Sequence, residues 1–366
     1  MLSKMAKLLV NYCTEVKEGD EVLVTASFEA FPLVKELWKE IVSAGGYPRL
    51  AVSDDELREI FFRYGKESLL THYSKIDEFL LENIDVRISV LSSTHTKPLI
   101  GVDPQKIQTR SKALRKLTEI FMRRDAEGSL RWVVTAYPTH AMAQEAGMGP
   151  VEFKEFVFRA LKLHAEDPVQ EWITQSRWQE KIVNLLNKVS ELRIVGEDTD
   201  ITVRVEGRIW INDDGKNNMP GGEVFTGPHE DGVDGYIKFT YPAVWGGNEV
   251  EGVKLVFRKG EVVEAYAEKG EEFLRKMIET DEGSKRLGEV AFGLNYDIKR
   301  NTKEILFDEK IGGTIHMALG ASYPSTGGKN VSAIHWDMVK DMWKGKVYAD
   351  GDLIYLNGKF LEDVIK

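Results

Sequence analysis

The segment Glu21-Val-Leu-Val-Thr25, the helical run 31–44 closed by Gly45-Gly46, and the strand Tyr47-Pro-Arg-Leu-Ala-Val52 decide how the first half of the chain folds. A short apolar strand, an amphipathic helix ended by glycines and a second strand make a βαβ unit, whose crossover is right-handed. The same grammar continues on either side. Residues 2–16 have helical periodicity, and 54–62 form a further helical run with the acidic pair Asp54-Asp55 as its cap. Val86-Arg-Ile-Ser-Val-Leu91 and Trp132-Val-Val-Thr-Ala136 supply two more strands, separated by a basic helix over 107–123. Strand and helix in alternation predict an α/β N-terminal domain with a mainly parallel sheet. Three helices follow, at about 141–145, 151–163 and 169–191.

Strand patterns then dominate, at 192–195, 200–205, 236–241, 253–257 and 262–267. Lys259-Gly260, Asp350-Gly351 and Asn357-Gly358 are hairpin-turn signals, and one helix, 271–286, interrupts the series. The second half therefore reads as a β-rich α+β catalytic domain. The boundary falls near residue 188: domain 1–187 as scaffold, substrate wall or dimer surface, and domain 188–366 as carrier of the chemistry.

Composition narrows the function. A chain of 366 residues with net charge -10 argues against a nucleic-acid partner, which needs clustered Lys and Arg. The single cysteine, Cys13, excludes an intrachain disulfide and a cysteine-based zinc finger. No stretch approaches the roughly 20 apolar residues that span a bilayer, and no small-residue cleavage site follows the N-terminal run, so no membrane association and a cytoplasmic setting are expected. In the first half neither G-x-G-x-x-G nor a P-loop stands at a strand-to-helix junction, and His72, His95, His140 and His164 lack carboxylate partners at ligand spacing.

The chemistry collects in the second half. His335-Trp-Asp337 places two ligand types two residues apart, on one face of a strand, with Trp336 on the other. His316 lies in the nearly uncharged strand Ile311-Gly-Gly-Thr-Ile-His-Met-Ala-Leu-Gly320, and Tyr323 follows after a turn. Glu223 sits in Pro220-Gly-Gly-Glu-Val-Phe and Glu289 in Leu287-Gly-Glu-Val-Ala-Phe, each leading into apolar residues. A carboxylate buried there needs a cation nearby. Three carboxylates and two imidazoles suffice for a pair of divalent cations and point to metal-assisted hydrolysis. His316, His335 and Asp337 alone also make a 2-His-1-carboxylate set, so the alternative is a mononuclear non-haem iron ring-cleaving dioxygenase. Such a one-metal site has no need of Glu223 and Glu289.

The order of motifs resembles the thermophilic metalloaminopeptidases, metallopeptidase family twenty-nine. The likeness runs from Trp132…Tyr137-Pro-Thr…Ala146-Gly-Met148 through Met219-Pro-Gly-Gly-Glu-Val-Phe-Thr, Leu287-Gly-Glu-Val-Ala and Phe307-Asp-Glu309 to His316-Met-Ala-Leu-Gly-Ala-Ser-Tyr-Pro and Asn330…His335-Trp-Asp337. The resemblance implies that Glu223, Glu289, His316, Tyr323, His335 and Asp337 bind two divalent cations per chain, that the C-terminal domain carries them, and that the protein is a homodimer. Lys310 departs from the family's Asp-Glu-Asn. The activity so implied is removal of the N-terminal residue of a peptide with a free N-terminus, through a metal-activated bridging water. Glu289 or Glu223 would bridge the ions, and Tyr323 would stabilise the tetrahedral intermediate. Carboxylates with imidazoles suit Zn, Co or Mn, with Mg a further possibility.

Overall fold

A computed structural model describes residues 1–365. The chain forms two compact units, one of Met1–Val169 with Gly215–Met219, the other of Gln170–Asp214 with Pro220–Lys366. The units thus divide at 169/170, where the sequence reading puts the change near 188. Most of the helix Pro168–Leu186 falls in the second unit, and it stops at Leu186 rather than 191 because Glu191–Gly196 is a strand. Among the described residues no helix is long and apolar enough to cross a membrane.

The first unit is the expected α/β domain. Its sheet has five strands, all parallel, in the order Tyr47–Val52, Glu21–Ala26, Val86–Leu91, Arg131–Ala136 and Asn218–Met219. Helix Phe31–Ser43 buries Leu33, Val34, Leu37 and Ile41, the 3.6-residue stripe that makes it amphipathic. Asp54 caps the helix Asp55–Tyr64, accepting from the Leu57 N–H at 2.9 Å. The run expected as one helix over 2–16 is instead an α-helical turn, Leu2–Lys7, followed by the wider π-type turns of Leu8–Cys13. The fifth strand returns from far along the chain, and two residues show no periodicity to find it by.

The second unit holds two large antiparallel sheets and a two-stranded one, Ala243–Trp245 with Asn248–Val250. One has eight strands and includes Glu191–Gly196, Thr199–Arg204, Val233–Lys238, Lys254–Arg258 and Glu261–Tyr266. The other has five, in the order His335–Asp341, Thr314–Gly320, Leu287–Gly293, Glu223–Thr226 and Ile211–Asp213. Ile194, Ile201, Val203 and Leu255 of the first share one apolar core with Val290, Phe292, Ile315, Met317, Trp336 and Met338 of the second. The turns signalled in the sequence are present, with paired positive φ at Lys259-Gly260, Asp350-Gly351 and Asn357-Gly358. The helix expected over 271–286 stops at Ile278, because Asp281 turns the chain by accepting from the N–H groups of Gly283 and Ser284.

Because side chains alternate across a strand, giving one face of the five-stranded sheet to the core leaves the other for Glu223, Glu289, His316, His335 and Asp337. Register aligns them: Glu289 pairs with Ala318, which pairs with Asp337, and Gly320 pairs with His335. One irregularity makes this possible. Pairing shifts between Leu287 and Glu289, so Leu287 packs in the core while Glu289, two residues later, lies on the opposite face. Gly288 sits at the bulge, where an added Cβ would lie 2.2 Å from the Ala321 carbonyl oxygen and 2.4 Å from that of Gly320. Gly288→Ala is therefore expected to cost about 2–4 kcal/mol of stability, measured by denaturant unfolding. A change within experimental error would show that the bulge tolerates a side chain.

Candidate metal centre

Each functional side chain comes from a strand or from the turn beside it. Glu223 opens its strand directly after Gly222, which has φ +112° and whose added Cβ would strike Asn295. The close approach that glycine permits here is thus backbone to side chain within the protein. Gln179, fully buried on the helix Pro168–Leu186, donates through Nε2 to the carbonyl oxygens of Glu223 and Asp213, both at 3.0 Å. Glu289 lies on the central strand of the five, paired on both sides.

His316 is the hub, with 0% exposure. Its Nε2 lies 2.9 Å from Glu289 Oε1 and 3.2 Å from Glu223 Oε2. The other oxygen of Glu289 is 3.7 Å from His335 Nε2, which is 3.6 Å from Asp337 Oδ1. His335 Nδ1 is 2.8 Å from the Ala321 carbonyl, and donation there leaves Nε2 as the free lone pair facing the carboxylates. Two sets of three donors result, each with its ligand atoms within 4.8 Å of one another: Glu223, Glu309 and His316; and Glu289, His335 and Asp337. In the first, Glu223 and His316 are buried and Glu309 is partly buried. The second opens at His335, whose side chain is 25% exposed, and at Tyr323, which is 44% exposed. The Tyr323 ring packs edge-on to His335 at 5.1 Å and against Phe225 at 5.6 Å.

Three groups that the sequence reading did not propose as site residues, Asp213, Glu309 and Lys310, stand in this cluster. Glu309 follows the short helix Ile305–Asp308, whose Asp308 anchors the preceding loop by accepting from Thr302 and Lys303 N–H groups at 2.7 Å. Lys310, with 0% exposure, places Nζ 2.7 Å from Glu223 Oε1 and 3.0 Å from Asp213 Oδ2, and also pairs with Glu309. Burial disfavours its ammonium, but Glu223, Glu309 and Asp213 outweigh that and hold its pKa well above the ordinary lysine range. The available signal was a lysine and a glutamate set directly before the uncharged run 311–320.

The donor set fits divalent cations. Asp213, Glu223, Glu289, Glu309 and Asp337 bring five carboxylates against one lysine, and Glu223 Oε2 and Asp337 Oδ1 are buried without a hydrogen-bond partner. Buried anionic oxygens in that state call for a cation. Glu223 and Glu289 both stand against His316, and Glu289 also faces His335; a one-metal site of His316, His335 and Asp337 would have no need of these two carboxylates. Tyr323 is a hydrogen-bond donor at neutral pH: burial of the phenol, then the charges of Glu289 and Asp337, raise its pKa above the ordinary tyrosine range.

An α/β unit joined to a β-sandwich-like unit with paired carboxylate–imidazole sets defines a metallohydrolase-type site. Comparison with known proteins places it further. The profile of the thermophilic metalloprotease (M29) family matches residues 1–360, and the chain belongs to that family. Among its relatives, aminopeptidase AmpS of Bacillus subtilis (strain 168) is 30% identical over 404 residues, covering 98% of each chain. Aminopeptidase T of Thermus thermophilus is 29% identical over 392 residues, covering 96% of this chain and 95% of the relative. The solved structure of wild-type AmpT from Thermus thermophilus superposes with a TM-score of 0.86 at 28% identity, covering 98% of each chain. A metalloprotease family implies a divalent metal, and nothing in these relatives supports the oxygenase alternative.

Burial acts against the His316 cation, but Glu223 and Glu289 overcome it and raise its pKa to about 9. In the metal-free protein the ring is therefore protonated at neutral pH, and a cation bound to Nε2 must displace that proton. Metal affinity should strengthen as pH rises towards about 9, with about one proton released per ion at this histidine. Calorimetric titration in buffers of different ionisation enthalpy measures the release. Affinity independent of pH would contradict it.

Proposed function

We propose that this chain is a metal-dependent aminopeptidase that hydrolyses the N-terminal residue of peptides, using two divalent cations. Glu223, Glu309 and His316 would hold one ion and Glu289, His335 and Asp337 the other. Glu289 would be the shared carboxylate, because its two oxygens face His316 and His335 separately. One carboxylate facing a histidine of each donor set, in a chain of a metalloprotease family whose named relatives are aminopeptidases, is the observation that supports the reading. Zn, Co or Mn fits carboxylate and imidazole donors of this kind.

Bound there, the cations supply a water acidified towards hydroxide near neutral pH and polarise the scissile carbonyl. The protein's own groups do the rest. Tyr323 stands at the open rim with its phenol protonated and donates to the oxyanion that develops on the carbonyl oxygen. The carboxylate surplus receives the substrate's free α-amine, which limits cleavage to the first residue. The Ala321 carbonyl keeps His335 in the tautomer and orientation that presents Nε2. The homodimer implied by the resemblance and the cytoplasmic setting expected from the sequence belong to the same proposal.

Metal analysis together with turnover of Leu-p-nitroanilide tests this reading. About two divalent ions per chain, loss of activity on chelation and recovery on adding Co or Zn are expected. Glu289→Gln should lower kcat/KM by roughly three orders of magnitude, the scale of losing a principal electrostatic stabiliser. Full activity after exhaustive chelation, or in Glu289→Gln, would refute the proposal. Tyr323→Phe should lower kcat by about a hundredfold with little change in KM, as expected of a donor used mainly in the transition state; a change confined to KM would remove Tyr323 from that role.

A further inference from the structure

The proposed chemistry gives Lys310 no task, yet its ammonium is the only Lys or Arg head group paired with the donor cluster among the described residues. It is held from both ends. The Lys310 backbone donates to the Phe307 carbonyl at 3.1 Å and accepts from the Asn295 N–H at 2.9 Å, and the side chain has no exposure. Its three protons face three carboxylates, those of Asp213, Glu223 and Glu309. Two of these, Glu223 and Glu309, belong to the donor set completed by His316. In the other set, Glu289 and Asp337 pair only with histidines among the described residues. The two sets therefore have similar ligands but different surroundings, one with a fixed internal cation and one without.

We propose that Lys310 makes the two cation sites unequal: it keeps the Glu223–Glu309–His316 site weak, while the Glu289–His335–Asp337 site holds its ion tightly. The inference rests on the metal-centre reading above. Any ion held by Glu223 and Glu309 would share those carboxylates with the Lys310 ammonium, and like charges in a buried setting repel strongly. Lys310 also takes up Glu223 Oε1, leaving Oε2 as the glutamate's oxygen towards His316. The site is thus weakened without being blocked. Asp213 belongs to neither donor set; it is a positioning residue that keeps the ammonium in place. Over a range of metal concentration the chain would carry one ion, and filling of the second site would complete the pair.

Stepwise Co²⁺ titration of the metal-free full chain, by calorimetry and visible absorption at fixed pH, tests this. Wild type should show two binding steps with constants roughly a hundredfold apart. Glu309→Gln should abolish the weaker step and leave the tighter, and Asp337→Asn should do the reverse. Lys310→Met and Lys310→Gln remove the charge at similar length, and should tighten the weaker step by at least about tenfold while moving the tighter one less than about threefold. Circular dichroism establishes that each variant is folded. Should neither Lys310 variant fold, the wild-type, Glu309→Gln and Asp337→Asn titrations still decide whether the sites are unequal in the proposed order. Equal wild-type constants, loss of the weaker step in Asp337→Asn, or an unmoved weaker step in folded Lys310 variants would overturn the role of Lys310. No Co²⁺ uptake by any form would instead overturn the metal centre itself, which is a different result.

Discussion

Five carboxylates converge at one face of a small antiparallel sheet, and most of the structure around them follows from the need to bury that charge. Carboxylates in a low-dielectric setting repel one another and lose hydration, so each needs a proton, a hydrogen-bond donor or a cation. Lys310 answers for Asp213, Glu223 and Glu309, and a protonated His316 for Glu223 and Glu289. Glu223 Oε2 and Asp337 Oδ1 still have no hydrogen bond, each facing only a histidine at 3.2 and 3.6 Å, and divalent ions would fit there. The metal-free cluster is therefore organised by the same electrostatics that would bind metal, with protons and an ammonium occupying part of the charge balance.

The sheet supports this by separating two incompatible environments across its own thickness. Val290, Phe292, Ile315, Met317, Trp336 and Met338 lie in the core, while their sequence neighbours Glu289, His316, His335 and Asp337 lie on the far side. Ala291 pairs with His316 and Ala318 with Glu289 as small side chains, and Gly293 pairs with Glu223, so the polar groups can approach without steric competition. The bulge at Gly288 reconciles a core Leu287 with a carboxylate on the opposite face at Glu289. Regular alternation would have sent both to the same face.

Much of the site was legible because strand periodicity is local. His335-Trp-Asp337 declares its geometry in three residues, and His316 in an uncharged strand declares its burial. The α/β organisation of the first unit followed from alternating strands and helices for the same reason. The two-residue strand Asn218–Met219 and the early end of the helix at Ile278 were not legible. The first is created by pairing with a distant strand, and the second by hydrogen bonds to the Asp281 side chain. Ordered motifs carried the resemblance to the metalloaminopeptidases, and the match over residues 1–360 establishes the family.

By itself, then, the sequence determined which side chains share a strand face and that carboxylates and imidazoles are paired with apolar strands. Those are consequences of a two-residue repeat and of composition. Tertiary structure decided how the candidate donors are grouped: His316 with Glu223 and Glu309, His335 and Asp337 with Glu289, and Lys310 and Asp213 on one side only. No local pattern encodes that grouping, because Asp213, Glu223 and Lys310 meet through strand order and loop closure across nearly a hundred residues. Charge–charge energy depends on distances that only the folded chain sets.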